Sequence, residues 1–188
     1  RWSKIASFLE YLLRRVRQTE PGRKLRVLDV GCGRGWLTNL ATMYGSCEGI
    51  EPVAEVIEHA RRLFPHLRFE AGTAQSVLQR PDFAPYDVVL CSEVIEHVPH
   101  GQKEAFVAEL TSLLKSDGVL ILTTPRGEMW DQWKAIAPPN QPVEDWVTEE
   151  QLRGLFTAQG FYELGLERVH VEIPTLRYIP APTPADLN

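Results

Sequence analysis

Val27-Leu28-Asp29-Val30-Gly31-Cys32-Gly33-Arg34-Gly35 is the stretch that decides the fold. An apolar run interrupted by one acid gives way to a turn with glycine at every second position. Glycine has no Cβ, so the backbone there can take positive φ and a ligand can lie against the main chain. A strand running through such a turn into a helix presents unpaired backbone N–H groups at a helix N-terminus. The segment therefore reads as the first strand of a nucleotide-type cofactor site.

Working outward, short apolar runs alternate with helical patterns. Before the turn, Ile5, Phe8, Leu9, Leu12, Leu13 and Val16 recur at helical spacing, and Glu20-Pro21-Gly22 stops that helix. Leu25–Val30, Ser46–Glu51, Leu67–Glu70, Tyr86–Cys91 and Val119–Thr124 read as strands. Between them lie helices over Trp36–Met43, Val53–Leu63 and Ala74–Leu78, and one carrying Phe106, Leu110, Leu113 and Leu114 that Asp117-Gly118 closes. Glu149–Gln159 follows as a helix with Thr148 as its cap and Gly160 at its end. Phe161–Val171 reads as a last strand. This rhythm predicts an α/β, Rossmann-like, mostly parallel sheet with helices on both faces. In such sheets the ligand lies beyond the carboxyl ends of the strands. The domain is expected over residues 1–173, with a proline-rich tail or linker over 174–188 that carries Pro174, Pro180, Pro182 and Pro184.

Composition narrows the classes. The 188 residues, 44% hydrophobic, suffice for one domain with a substantial core. A net charge of −5 gives no general attraction to nucleic acid, and no apolar run is long enough to span a membrane. Cys32, Cys47 and Cys91 are widely spaced and odd in number, which reads as reduced thiols in a cytoplasmic protein. The chain opens on Arg1 rather than methionine, as a trimmed chain or a piece of a larger polypeptide would.

The residues just after each strand carry the chemistry. Glu51 ends the second strand twenty positions beyond Gly31, where an acid can accept both hydroxyls of a ribose, and Pro52 follows it. Gly72-Thr73-Ala74 follows the third strand, Cys91-Ser92-Glu93 the fourth and Thr123-Thr124-Pro125 the fifth. The turn is not the dinucleotide fingerprint, because Trp36 stands where the third glycine would be. Asp29 beside a pyrophosphate would also repel it, whereas a cofactor with an amino group and a sulfonium tolerates the acid.

In these segments the chain resembles the class I S-adenosylmethionine-dependent methyltransferases. The likeness runs through Val27–Gly35, Gly49-Ile50-Glu51-Pro52, Phe69–Ala74, Tyr86–Pro99 and Leu113–Pro125, in the family's order and spacing. It implies that Asp29, Gly31, Cys32, Gly33, Gly35 and Trp36 hold the methionine end of S-adenosylmethionine and that Glu51, with Pro52, holds the ribose. Thr73 and Ala74 would edge the adenine, and Cys91 and Ser92 would line the far wall. Many members carry Asp where Thr73 stands. The family usually adds a final antiparallel strand, for which only Thr175–Ile179 is available, so that strand is expected to be short or missing.

Glu93-Val94-Ile95-Glu96-His97-Val98 holds the candidate catalytic groups. If a helix continues from the strand, Glu93, Glu96 and His97 share one face. His97 then serves as a general base, or the three hold a divalent metal, or Glu96 and His97 form a pair that shapes the pocket wall. The string resembles the ubiquinone-biosynthesis O-methyltransferases and also the small-RNA 2′-O-methyltransferases. The metal site of the RNA enzymes needs a later histidine, which Arg126 through Val147 does not contain. The favoured acceptor is therefore a small molecule, such as a metabolite, glycan or peptide natural product. A non-catalytic cofactor-binding subunit and a nicotinamide-dependent oxidoreductase remain the rival classes. The insertion with Trp130, Trp133 and Trp146 reads as a lid, with Arg126 and Glu128 able to orient a polar acceptor and Trp2 and Phe8 closing the opposite side.

Overall fold

The computed structural model describes residues 1–136 and 141–168. Its centre is β1 (Leu25–Val30), the strand quoted above, which lies between β2 (Gly45–Glu51) and β4 (Tyr86–Ser92). β3 (Arg68–Ala71) pairs with β2 and β5 (Leu114–Thr123) with β4, giving the order β3-β2-β1-β4-β5 with every pairing parallel. The chain goes one way from β1 to β2 and the other way to reach β4, so the glycine turn after β1 sits where the topology switches.

Alternation along the strands sends side chains to two cores. Leu25 and Val27 of β1, with Val88 and Leu90 of β4, meet α1 (Trp2–Thr19) and α2 (Trp36–Ala41) through Ile5, Leu9, Leu12, Leu13, Leu37 and Ala41. Leu28 and Val30, with Val89 and Cys91, face the other way. They pack with Ala74 and Val77 of α4 (Ala74–Leu78) and with Leu110 and Leu113 of α5 (Lys103–Leu113). A third cluster lies under α3 (Ala54–Leu63), where Ile57 and Ala60 meet Cys32, Phe64 and Phe69. Each side chain fully buried this way contributes roughly 1.5–3 kcal/mol, so both faces of the sheet are well covered.

Three expectations need correction. α5 ends at Leu113, and Asp117-Gly118 lies within β5 instead of closing the helix. Leu114 already pairs with Tyr86, and the register shifts before Val119 pairs with Val88, so the polar pair sits in an irregularity of the strand. The helix expected to run on from β4 is broken at Glu93, whose φ of 59° is left-handed, and two short 3₁₀ turns, Ile95–His97 and His100–Gln102, stand in its place. Finally, the described part of the expected last strand, residues 161–168, is irregular, with Tyr162, Leu164 and Leu166 exposed. The remainder of that strand, Thr175–Ile179 and the tail over 174–188 lie outside the described residues.

α7 (Glu149–Ala158) is as expected, with the Gln151 N–H donating to Thr148 Oγ1 at its start and Gly160 at φ 82° beyond its end. No helix among the described residues is long and apolar enough to cross a membrane.

Candidate functional site

Beyond the ends of β1 and β4 lies a cavity of about 190 Å³ lined by Arg1, Trp2, Asp29, Gly31, Cys32, Arg34, Trp36, Leu37 and Ser92. Asp29, Gly31, Cys32, Trp36 and Ser92 are among the sequence candidates, and Trp2 closes one side as expected; Arg1, Arg34 and Leu37 are not among those candidates. Two of the turn's glycines are fixed by geometry. Gly31 has φ 71°, and a Cβ there would lie 2.4 Å from Val94 Cγ2; Gly35 has φ 82°, and a Cβ there would lie 2.4 Å from Phe69 Cζ.

The turn's N–H groups are less free than the sequence suggested. Gly31 N and Cys32 N both donate to the Ile50 carbonyl at 2.9 Å, and Gly35 N donates to the Cys32 carbonyl at 3.0 Å. Gly33 N donates to Glu51 Oε2 at 3.3 Å, while Glu51 Oε1 accepts from Val53 N at 3.2 Å. With these amides satisfied inside the protein, and with an acid in the wall, the turn is poorly equipped for a pyrophosphate.

Asp29 is that acid. It is 1% exposed, and its Oδ2 accepts from Thr38 Oγ1 at 2.7 Å. Burial, with a further push from the Glu51 charge, raises its carboxyl to about 7 against the bonds from Thr38. Arg1 and Arg34 also line the cavity, but no ion pair to Asp29 forms among the described residues, so a positively charged ligand would meet an acid hydrogen-bonded only by Thr38. Cys32 faces the same cavity as a neutral thiol, since burial and the nearby Asp29 and Glu51 charges push it well above the usual thiol range. Trp36 gives the outer wall, with its ring edge-on to Phe64 at 5.1 Å.

The other expected cofactor residues lie around this cavity, not in its wall. Gly33, Gly35, Glu51, Pro52 and Thr73 follow the ends of neighbouring strands at the same end of the sheet, with Thr73 exposed ahead of α4. Cys91 and Ala74 are corrections as to their side chains: both are buried in the core behind the sheet, because alternation turns Cys91 away when it turns Ser92 toward the cavity.

The candidate catalytic groups are arranged by contacts, not by a helix face. Thr123 Oγ1 donates to Glu93 Oε1 at 2.8 Å, so its oxygen accepts from Ser92 Oγ, also at 2.8 Å; Glu93 Oε2 lies 3.1 Å from Arg1 Nη1. Glu96 is buried, its carboxyl raised by desolvation, and its Oε2 accepts from Thr124 Oγ1 at 3.1 Å. His97 Nε2 stands 4.0 Å from Glu96 Oε1, and its Nδ1 lies 2.9 Å from the Val143 carbonyl. The half-exposed His97 ring is outside the cavity wall. Among the described residues, no group of three or more His, Cys, Asp or Glu side chains gathers into a metal-holding cluster.

The tryptophan insertion packs beside this turn. Trp146 lies 5.0 Å from Trp130 and 6.1 Å from Trp133 of α6 (Trp130–Ile136), and none of the three lines the cavity. Arg126 and Glu128, offered as acceptor-orienting groups, are engaged with α7: Arg126 Nε is 3.0 Å from Glu149 Oε1, and Glu128 Oε1 accepts from Glu149 N at 2.9 Å.

Comparison with known proteins agrees with this geometry. A family model described as a methyltransferase domain matches residues 2–164. The mitochondrial ubiquinone biosynthesis O-methyltransferase of Bos taurus is 38% identical over 123 residues, covering 60% of this chain and 33% of that protein. The corresponding enzyme of Rickettsia canadensis is 33% identical over 119 residues, covering 62% of this chain and 50% of that protein. The chain thus spans between about a third and a half of the length of these curated relatives. Among solved structures, the YcgJ protein of Bacillus subtilis superposes with a TM-score of 0.58 at 25% identity, over 79% of this chain and 67% of that one.

Proposed function

The chain belongs to the class I S-adenosylmethionine-dependent methyltransferases, and from that membership we propose that it methylates a hydroxyl oxygen of a small-molecule acceptor. The observation that carries the reading is Asp29: a buried carboxylate in a cavity wall, with no cationic side chain paired to it. S-adenosylmethionine, with its ammonium and sulfonium charges, is the kind of ligand such a wall accepts. When bound, it supplies a methyl group on a positively charged sulfur.

The chain's own residues would do the rest. Asp29 takes the cationic end of the cofactor, and Glu51 exchanges its backbone partners for the two ribose hydroxyls. Trp2, Trp36 and Leu37 exclude water from the transfer, and the hydroxyl of Ser92 faces the same space. Cys32 and Gly31 shape the floor, Gly33 and Gly35 brace the turn beside it, and Pro52, Thr73 and the backbone of Ala74 lie toward the adenine end. On the acceptor side, His97 Nε2 removes the hydroxyl proton as the oxygen takes the methyl, and Glu96 and Glu93 hold the turn that carries it. The names of the relatives favour oxygen over nitrogen as the methylated atom. Three unpaired cysteines support a reducing, cytoplasmic setting, and the domain is proposed to extend to residue 173.

Calorimetric titration tests the donor half. S-adenosylmethionine should bind the wild-type chain, and Asp29→Asn and Glu51→Ala should each weaken it about tenfold or more, the equivalent of losing one good polar contact. Tight binding of a nicotinamide dinucleotide with no binding of S-adenosylmethionine would overturn the proposal. A screen of phenolic and other hydroxylated acceptors with labelled cofactor then tests the transfer itself, with His97→Gln expected to lose turnover without losing cofactor affinity.

A further inference from the structure

Lys103 is one of the largest fully buried side chains, although it carries an ammonium group; it is 1% exposed. A lysine is almost never buried so completely unless several acceptors surround it. Here Nζ donates to the Ile95 carbonyl at 2.7 Å and to the Val98 carbonyl, which are the two ends of the turn that carries Glu96 and His97. The third neighbour is Asp145 Oδ2 at 3.8 Å.

Asp145 belongs to a strap, residues 143–147, that lies along the same turn. Its backbone N–H donates to the Glu96 carbonyl at 2.7 Å, and Val147 is buried with Ile95 and Val107. The strap also carries the Val143 carbonyl, 2.9 Å from His97 Nδ1. A carbonyl oxygen can only accept, so the neutral ring must keep its proton on Nδ1 and leave the lone pair on Nε2. That is the less common tautomer of a free imidazole, and it persists only while the carbonyl stays in place.

We infer that Lys103 is a positioning residue: its buried ammonium ties the 95–98 turn to Asp145 of the strap, and so holds the Val143 carbonyl where it fixes His97 as the Nδ1–H tautomer. The role of His97 as proton acceptor rests on the proposed methyl transfer, but the tie and the tautomer do not. Burial also pulls the Lys103 ammonium below its ordinary value, in keeping with a charge that only these acceptors hold in place.

Long-range proton–nitrogen NMR of the full chain labelled with ¹⁵N-histidine reads the tautomer without any acceptor. The His97 signals are assigned by their loss in His97→Gln, at a pH about two units above the ordinary imidazole value of about 6.5. Wild-type His97 should show the Nδ1–H pattern. In Lys103→Met it should move to the common Nε2–H pattern, with the Nδ1–H fraction falling below half, while His59 and His66 on other elements stay unmoved. Because removing a buried charge can unfold a protein, Asp145→Asn at a half-exposed position is the second variant, and it should shift His97 in the same direction. An Nε2–H pattern in the wild type, or an unmoved Nδ1–H pattern in folded Lys103→Met or, should that variant not fold, in Asp145→Asn, overturns the inference. Failure of wild-type chain to bind S-adenosylmethionine would instead sink the functional reading and leave the tie standing.

Discussion

Asp29→Asn should make the protein more stable and less able to bind its cofactor. In the folded chain, burial holds the Asp29 carboxyl at about 7, against an ordinary value of 3.8. The gap is roughly three units, and at about 1.4 kcal/mol per unit the folded state carries about 4 kcal/mol of ionisation cost once the group is charged. The folded value lies above the unfolded one, so the folded state binds the extra proton between about pH 4 and pH 7. Stability from this group is therefore intact at the acid end of that window and is lost as the pH rises toward 7. Replacing the carboxylate by an amide keeps an oxygen to accept the 2.7 Å bond from Thr38 Oγ1 and removes the charge. Urea unfolding, followed by tryptophan fluorescence at pH 5 and pH 8, reads the difference. At pH 8 the variant should exceed the wild type by up to about 4 kcal/mol, equivalent to a rise in melting temperature of roughly 2–4 °C per kcal/mol for a chain of this size. At pH 5 the gap should shrink to about 1.5 kcal/mol, since the folded carboxyl is then protonated while the unfolded one, at 3.8, is already ionised. Equal stabilities at pH 8 would refute the claim that Asp29 is a buried, unpaired charge, and with it the argument for a cationic ligand.

The same titration predicts proton release. Binding a cation beside Asp29 should lower its carboxyl, so S-adenosylmethionine binding near pH 7 should release about half a proton, measured by calorimetry in buffers of different ionisation enthalpy; release of none would mean the cationic end binds elsewhere. The glycines of the turn should differ sharply on substitution by alanine. Gly33→Ala meets nothing within 4 Å and should cost only the left-handed backbone penalty of about 1–2 kcal/mol. Gly35→Ala adds a collision with Phe69 Cζ at 2.4 Å and should cost about 1–3 kcal/mol more by thermal melting; equal melting temperatures for the two would show that the Phe69 ring yields freely.

What could be read from the sequence follows the range of the interactions involved. β1, α4 and the Thr148 start of α7 are set by residues within a few positions of each other, and they were legible to the residue or nearly so. So was the place of the cavity, because the carboxyl ends of β1 and β4 meet wherever a parallel sheet switches direction. Periodicity failed where one backbone angle or one strand register decided the matter. Glu93 at φ 59° breaks a pattern that spells a helix, and the early pairing of Leu114 with Tyr86 draws Asp117-Gly118 into a strand. The glycine turn lines the cavity, as its place after β1 predicts, but its amides bond to Ile50 and Glu51, partners that a local reading does not see.

The two halves of the site differ in the same way. The proposed donor side is made of short connections at the strand ends that a parallel sheet of this order brings together, so the residues proposed to face the methyl donor are set by the topology itself. The proposed acceptor side depends on contacts across long stretches of chain: His97 meets Val143, Glu96 meets the N–H of Asp145, and Lys103 reaches that same Asp145 from another helix. The insertion that supplies these contacts lies outside the sheet's repeating pattern and can change in sequence and length without disturbing β1 or its turn. A chain of this build can therefore keep one methyl donor while its acceptor changes. The Lys103 tie matters because it joins the strap to the turn that follows β4, the point at which an acceptor's identity can be felt by the side chain proposed to take its proton.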